Sequence, residues 1–145
     1  INIEFNSTFN AGNLYDGVTV WTSLLQKIIN TGDGSLIGSE IQGDSTYDNS
    51  TGSIFLVGTQ KLDLSILCHN NAESFKFIRL RIVLNGVNVG KVVRARNKPG
   101  YNSLNLSMHR IIECGAGKTL DIQVYLDNGQ KLRLHSISMS SYRIY

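Results

Sequence analysis

Four basic side chains, Lys91, Arg94, Arg96 and Lys98, form the densest charged patch of the chain, and Tyr101 and Asn102 follow closely. Tyr47 and Asp48 stand in a second polar stretch, Gly43 to Gly52. Cations and aromatics interleaved with Gly and Asn suit the binding of sugars or anionic surfaces, because a guanidinium grips an anion while a ring offers an apolar face. The alternative is a solvated strand end and loop. Catalytic chemistry has no such focus. His69, His109 and His135 are scattered on polar strand faces or strand ends, although His69 and His135 could meet across strands. Asp44 with Asp48, and Asp33 near Glu40, are acidic pairs on loops. Glycoside cleavage needs two carboxylates opposed across a cleft, which spacing along a loop does not supply. Asp44, Asp48 and Asn49 could offer oxygen ligands to calcium, in a pattern much looser than an EF-hand loop. No phosphate-binding glycine loop, zinc-spaced Cys/His set or nucleophile elbow occurs.

The elements that must position these residues read as strands. The chain has 145 residues, 41% hydrophobic and 17% charged, with 14 glycines and one proline, Pro99. That length suits one domain, residues 1–145, with a proper core. The net charge of +3 is mild, and no basic stripe with interleaved aromatics marks a nucleic-acid partner. No apolar run approaches the roughly 20 residues of a membrane span, so no membrane insertion is expected. The chain begins at Ile1 without a methionine or signal peptide, which suits a processed form or a fragment. Cys68 is in phase with Leu62, Leu64 and Ile66, and Cys114 precedes a glycine turn. Two buried thiols are expected, with a Cys68–Cys114 bridge as the alternative. Asn6, Asn49 and Asn105 each open an Asn-x-Ser/Thr triplet, a frequent coincidence in a chain this rich in those residues.

Asn85-Gly86 and Asn128-Gly129 each sit between apolar runs, the strongest local hairpin signal. Leu62, Leu64, Ile66 and Cys68 alternate with Lys61, Asp63 and Ser65. Ile78, Leu80, Ile82 and Leu84 face one way, and Phe75, Phe77, Arg79, Arg81 and Val83 the other. Leu104, Leu106 and Met108 share a face, as do Leu120, Ile122, Val124 and Leu126. The apolar phase slips between Leu134 and Ile137, which predicts a bulge. Apolar pairs at residues 24, 25, 28 and 29 predict a short helix over 22–29, capped by Thr22 or Ser23, at one end of the fold. The Phe75/Phe77/Arg79 face is either buried at one end and solvated at the other or a subunit interface, where Phe, Tyr and Arg are enriched. Tyr125 and Tyr142 would join such an interface.

From residue 47 the order of signals resembles a known family. Tyr47 to Phe55, the strand near Leu62–Leu67, Leu80-Arg81-Ile82-Val83-Leu84-Asn85-Gly86-Val87, and Cys114-Gly115-Ala116-Gly117-Lys118-Thr119-Leu120-Asp121-Ile122 are similar in sequence and order to the globular heads of complement C1q-like proteins. A final strand with Ser136 to Tyr142 closes the pattern. Lys118 stands where that family usually has Asp. The resemblance implies a jelly roll of the C1q/tumour-necrosis-factor type. It also implies a homotrimer at the tip of a fibrous stalk, a shape that viral and phage fibres share.

The expectation is therefore an all-β, antiparallel jelly-roll sandwich without enzymatic activity and without a required cofactor, calcium aside. It would bind a cell-surface glycan or receptor protein through Tyr47, Asp48, Arg94, Arg96, Lys98, Tyr101 and Asn102. It would trimerise through Phe75, Phe77, Arg79, Tyr125 and Tyr142, outside the cell or on a virion surface. One rival is a virion shell or decoration subunit with the same fold. Another is a polysaccharide-cleaving enzyme using Asp44, Asp48 or Glu113.

Overall fold

The computed structural model describes residues 2–6, 13–16, 20–25, 35–39, 45–48, 50–72, 76–97, 100–128 and 130–144, with side chains for 20–25, 45–48, 50–69, 77–96, 103–128 and 130–144. The strands are β1 (Asn2–Asn6), β2 (Asn13–Asp16), β3 (Thr22–Ser23), β4 (Ser35–Ser39), β5 (Thr46–Asp48) and β6 (Ser53–Leu56). They continue with β7 (Thr59–Ala72), β8 (Lys76–Leu84), β9 (Val87–Asn97), β10 (Gly100–Glu113), β11 (Lys118–Leu126) and β12 (Lys131–Arg143). The first sheet runs β10-β7-β12-β1-β4, with β2 also on β12, and the second runs β5-β6-β11-β8-β9, with β3 also on β11. Every pairing is antiparallel. The partners β6–β11, β7–β12 and β7–β10 are distant in sequence, which is the jelly-roll wrapping.

Alternation explains the sandwich. Along the described parts of β7, β8, β11 and β12 alternate residues are buried and mostly aliphatic, Gln60 and Ser141 forming a buried polar pair at one end, and the two inward faces meet in one cluster. Among the described residues that cluster holds Leu, Ile, Val, Met and Cys, with Tyr47 packed against its margin. Each such side chain contributes about 1.5–3 kcal/mol by leaving water. Cys68 and Cys114 are buried free thiols, as expected.

The β8–β9 hairpin turns through Asn85 (φ +48°) and Gly86 (φ +80°), the two left-handed residues of a type I′ turn. Asn85 also ties the turn to β11: its N–H donates to the Thr119 carbonyl at 3.0 Å, and its Oδ1 accepts from the Thr119 N–H at 2.9 Å. The bulge expected in β12 lies between Leu134 and Ser136 and restores the inward phase for Ile137 and Met139.

Two expectations change. Asn128-Gly129 does not join paired strands, because β11 and β12 lie in different sheets. Its loop is closed by buried Gln130, whose Oε1 accepts the Asp127 N–H at 3.0 Å. Thr22 and Ser23 form β3 on β11 instead of capping a helix. Leu24 and Leu25 follow in helical conformation with both side chains in the core, and residues 26–29 lie outside the described residues.

Candidate functional site

The outward residues of the second sheet form a continuous surface of rings and guanidinium groups. Tyr125 lies opposite Arg79, Arg79 opposite Arg94, and Gln123 opposite Arg81 and Ser23. Trp21, immediately before β3, brings its ring to 5.6 Å from that of Tyr125. The Arg81 guanidinium sits 4.2 Å from the Trp21 centroid, and its Nε–H donates to Gln123 Oε1 at 2.8 Å. Gln123 Nε2 donates to Asp121 Oδ2 at 2.9 Å, and Ser23 Oγ donates to Asp121 Oδ1 at 2.6 Å. Farther along, Asp127 accepts from Arg79 Nη1 at 2.8 Å and from the Phe77 N–H at 3.0 Å. Arg79 lies 5.4 Å from the Tyr125 centroid and 5.7 Å from that of Phe77, and Arg94 covers the Phe77 ring at 4.7 Å. These distances are those of cation–π contacts.

Two hollows open on this face. One, of about 570 Å³, is lined by Trp21, Arg79, Val92 and Arg94. The other, of about 290 Å³, is lined by Ser23, Thr51, Ser53, Thr119 and Asp121 among others.

The structure redistributes the residues singled out in the sequence. Phe77, Arg79 and Tyr125, expected at an interface, meet Arg94, expected at a ligand site. Arg96 stands opposite Phe77 on β9. Tyr142 is on the other sheet, with Lys61 Nζ 5.7 Å from its ring centroid. Tyr47 and Asp48 lie on β5, the edge strand opposite β9, four strand spacings or roughly 19 Å away. The Tyr47 ring packs against the core and its hydroxyl is buried, so burial and then the Asp48 charge raise its pKa. Phe75 and Lys98 lie outside the described residues. Tyr101 and Asn102 pair with Asn71 and Asn70 in the first sheet, and their side chains lie outside the described residues. Sequence reasoning missed Trp21 as a site residue. Its one signal was its type, the single tryptophan of the chain, standing just before the segment read as a helix over 22–29.

The first sheet carries a different outer face. Ser65, Ser107 and Ser138 form one rung beside His109 and Asp63, whose Nδ1 and Oδ1 lie 2.7 Å apart. Among the described residues no serine hydroxyl is bonded to the other ring nitrogen of His109. The His69 and His135 rings do meet, at 5.4 Å, and the His69 pKa is lowered by burial, then by His135 and Arg133.

The carboxylates proposed for cleavage or calcium are engaged locally. Asp48 Oδ1 accepts from the Ser50 N–H and hydroxyl, and these bonds hold it below the usual carboxylate range. Glu113 is held down by Thr59 and the Gly115 N–H. Neither keeps the proton that a glycosidic general acid must donate. Asp44 and Asn49 lie outside the described residues. Among the described residues no three His, Cys, Asp or Glu side chains converge for a metal, and no helix is long and apolar enough to cross a membrane.

No protein-family profile matches the chain, and no curated protein matches it in sequence. Solved structures resemble its fold. Eiger TNF from S. frugiperda is 12% identical, with 96% of this chain and 90% of that chain covered and a TM-score of 0.50. A CBM36-1 domain of a multidomain xylanase from the hindgut metagenome of Trinervitermes trinervoides is 12% identical, with 99% and 100% covered and a TM-score of 0.42. A carbohydrate-binding module CBM36 in complex with calcium and xylotriose is 16% identical, with 97% and 99% covered and a TM-score of 0.39. The first, with the strand order, shows a jelly roll of the tumour-necrosis-factor type; at such identities the likeness is one of fold.

Proposed function

We propose that this chain is a non-enzymatic recognition head that binds a cell-surface glycan or receptor through the outer face of β3, β11, β8 and β9. The observation that carries the proposal is the placement of the rings. Aromatic side chains usually supply much of a core's buried area. Among the described residues the fully buried cluster has none and only Tyr47 packs at its margin, while Trp21, Phe77 and Tyr125 stand half-buried on the outer face against Arg79, Arg81 and Arg94. Rings and guanidinium groups are the side chains that dominate binding energy at recognition surfaces.

The same reading includes a homotrimer on an extracellular or virion surface, with residues 1–145 acting as one domain. The ligand is assigned to the second sheet and the subunit contact to the other outer face. The trimer contact then falls to the first sheet, where Ile111, Lys61 and Tyr142 are cross-strand neighbours. Ile111 is 68% exposed and Tyr142 39%.

Binding is tested on immobilised glycans and on cells with Trp21→Ala/Arg81→Ala. The double variant is expected to lose signal while keeping the wild-type circular dichroism spectrum. Undiminished binding by that variant would remove the face from the proposal. Light scattering coupled to size exclusion tests the assembly, with three times the chain mass expected.

A further inference from the structure

Three of the four guanidinium groups on this face, those of Arg79, Arg81 and Arg94, differ in what already holds them. Arg79 is tied to the Asp127 carboxylate at 2.8 Å. Arg81 is fixed between Gln123 and the Trp21 ring. Arg94 is exposed, contacts the Phe77 ring and meets no carboxylate among the described residues. A cation–π contact uses the flat face of a guanidinium and leaves its in-plane N–H donors for another acceptor. The hollow beside Arg94 is walled by a second arginine, an indole and Val92.

Asp121, Gln123 and Tyr125 are successive outward residues of β11, so the hydroxyl-lined hollow at Asp121 lies about 13 Å along the strand from the arginine-lined one. One end offers hydroxyls and a carboxylate, which pair with neutral hydroxyl groups. The other offers cations beside apolar surface, which suit an anion carried on a ring. A neutral sugar leaves Arg94 without a counter-charge, and an acidic peptide has few hydroxyls for Ser23, Thr119 and Asp121.

Resting on the recognition-head reading, we infer that the ligand is an acidic oligosaccharide, its carboxylate or sulfate at Arg94 and its neutral hydroxyls at the Asp121 end. The test is calorimetric binding of three probes: a chondroitin sulfate hexasaccharide, its desulfated and carboxyl-reduced counterpart, and poly-glutamate of similar charge. The sulfated probe is expected to bind at least tenfold tighter than the other two. Arg94→Gln is expected to remove that preference, Arg94→Lys to keep part of it, and Lys131→Gln on the other sheet to change nothing. Circular dichroism and the melting temperature establish that each variant folds. Binding of the neutral probe as tightly as the sulfated one, abolished by Trp21→Ala, would overturn the acidic ligand and leave the recognition face standing. Equal binding of poly-glutamate would overturn the saccharide. Failure of all three probes would overturn this inference and count against a glycan ligand altogether.

Discussion

Asp127 holds two parts of the recognition face at once, because its oxygens accept from the Arg79 side chain and from the Phe77 main chain. Both members of the ion pair are 28% exposed, so solvent screens the attraction and its share of stability is at most about 1 kcal/mol. Its larger effect is positional, since it fixes the cation between two rings. Asp127→Asn is therefore expected to lower the melting temperature by only a few degrees and to weaken ligand binding severalfold, measured by thermal unfolding and calorimetry on the same sample. A second residue reports on the core. Burial pushes the Cys68 thiol up to about 12. Below the unfolded thiol's value of about 8.5 both states keep the proton, and pH has no leverage. Above it the unfolded chain ionises while the folded chain does not, so stability falls as pH rises, by up to about 1.4 kcal/mol per unit. Urea midpoints measured from pH 8 to pH 10.5 are expected to fall more steeply for the wild type than for Cys68→Val. Parallel curves would show that Cys68 is not shielded from solvent.

At the scale of elements, β9 departs from regular pairing at one place. Its partners on β8 pass from Leu80–Val93 to Ile82–Val89, and Gly90 inside the bulge has φ +76°. Arg110 of β10 crosses the edge of the sandwich there, and its Nη2 donates to the Lys91 carbonyl at 3.0 Å. A Cβ on Gly90 would lie 3.1 Å from Arg110 Nε in an already left-handed backbone. Gly90→Ala is expected to cost about 1–2 kcal/mol in chemical denaturation and to loosen amide protection around Lys91 first. The sequence announced neither this bulge nor the loop after β11, whereas the β12 bulge was legible from the phase slip at Leu134. The difference is physical. A slip among buried residues shifts the hydrophobic alternation, but the extra residues on exposed β9 shift none that a reader can see. Likewise Asn85-Gly86 and Asn128-Gly129 carry the same local signal, and only tertiary packing separates them. Gln130 closes the second as a passage between sheets. β3 was illegible for a related reason: two residues have no periodicity, and their pairing partner on β11 is about a hundred residues away. Trp21, and with it half of the recognition face, was hidden by that distance. Phe77, Arg79 and Tyr125 were visible because each lies on a long alternating strand.

The molecule as a whole separates two outer surfaces across one aliphatic core. The second sheet presents rings and cations, and the first presents serines with a rung of Ile111, Lys61 and Tyr142. If subunits meet through the first sheet, ligand faces point away from the contact and several can engage one surface together. Linked sites raise apparent affinity through effective concentration, without any new contact. The two surfaces therefore predict separable phenotypes. Ile111→Glu/Tyr142→Glu places charge on exposed side chains, so the fold and the affinity of each site for a free oligosaccharide are expected to persist. Light scattering should then give a monomer, and retention on a densely coated glycan surface should fall by about a hundredfold. Trp21→Ala should do the reverse, keeping the wild-type mass and losing affinity for the free oligosaccharide. A wild-type protein that runs as a monomer, or a charged first sheet that leaves the mass unchanged, would break the assignment of assembly to that sheet. A wild-type retention time that depends only on single-site affinity would show that the faces act one at a time.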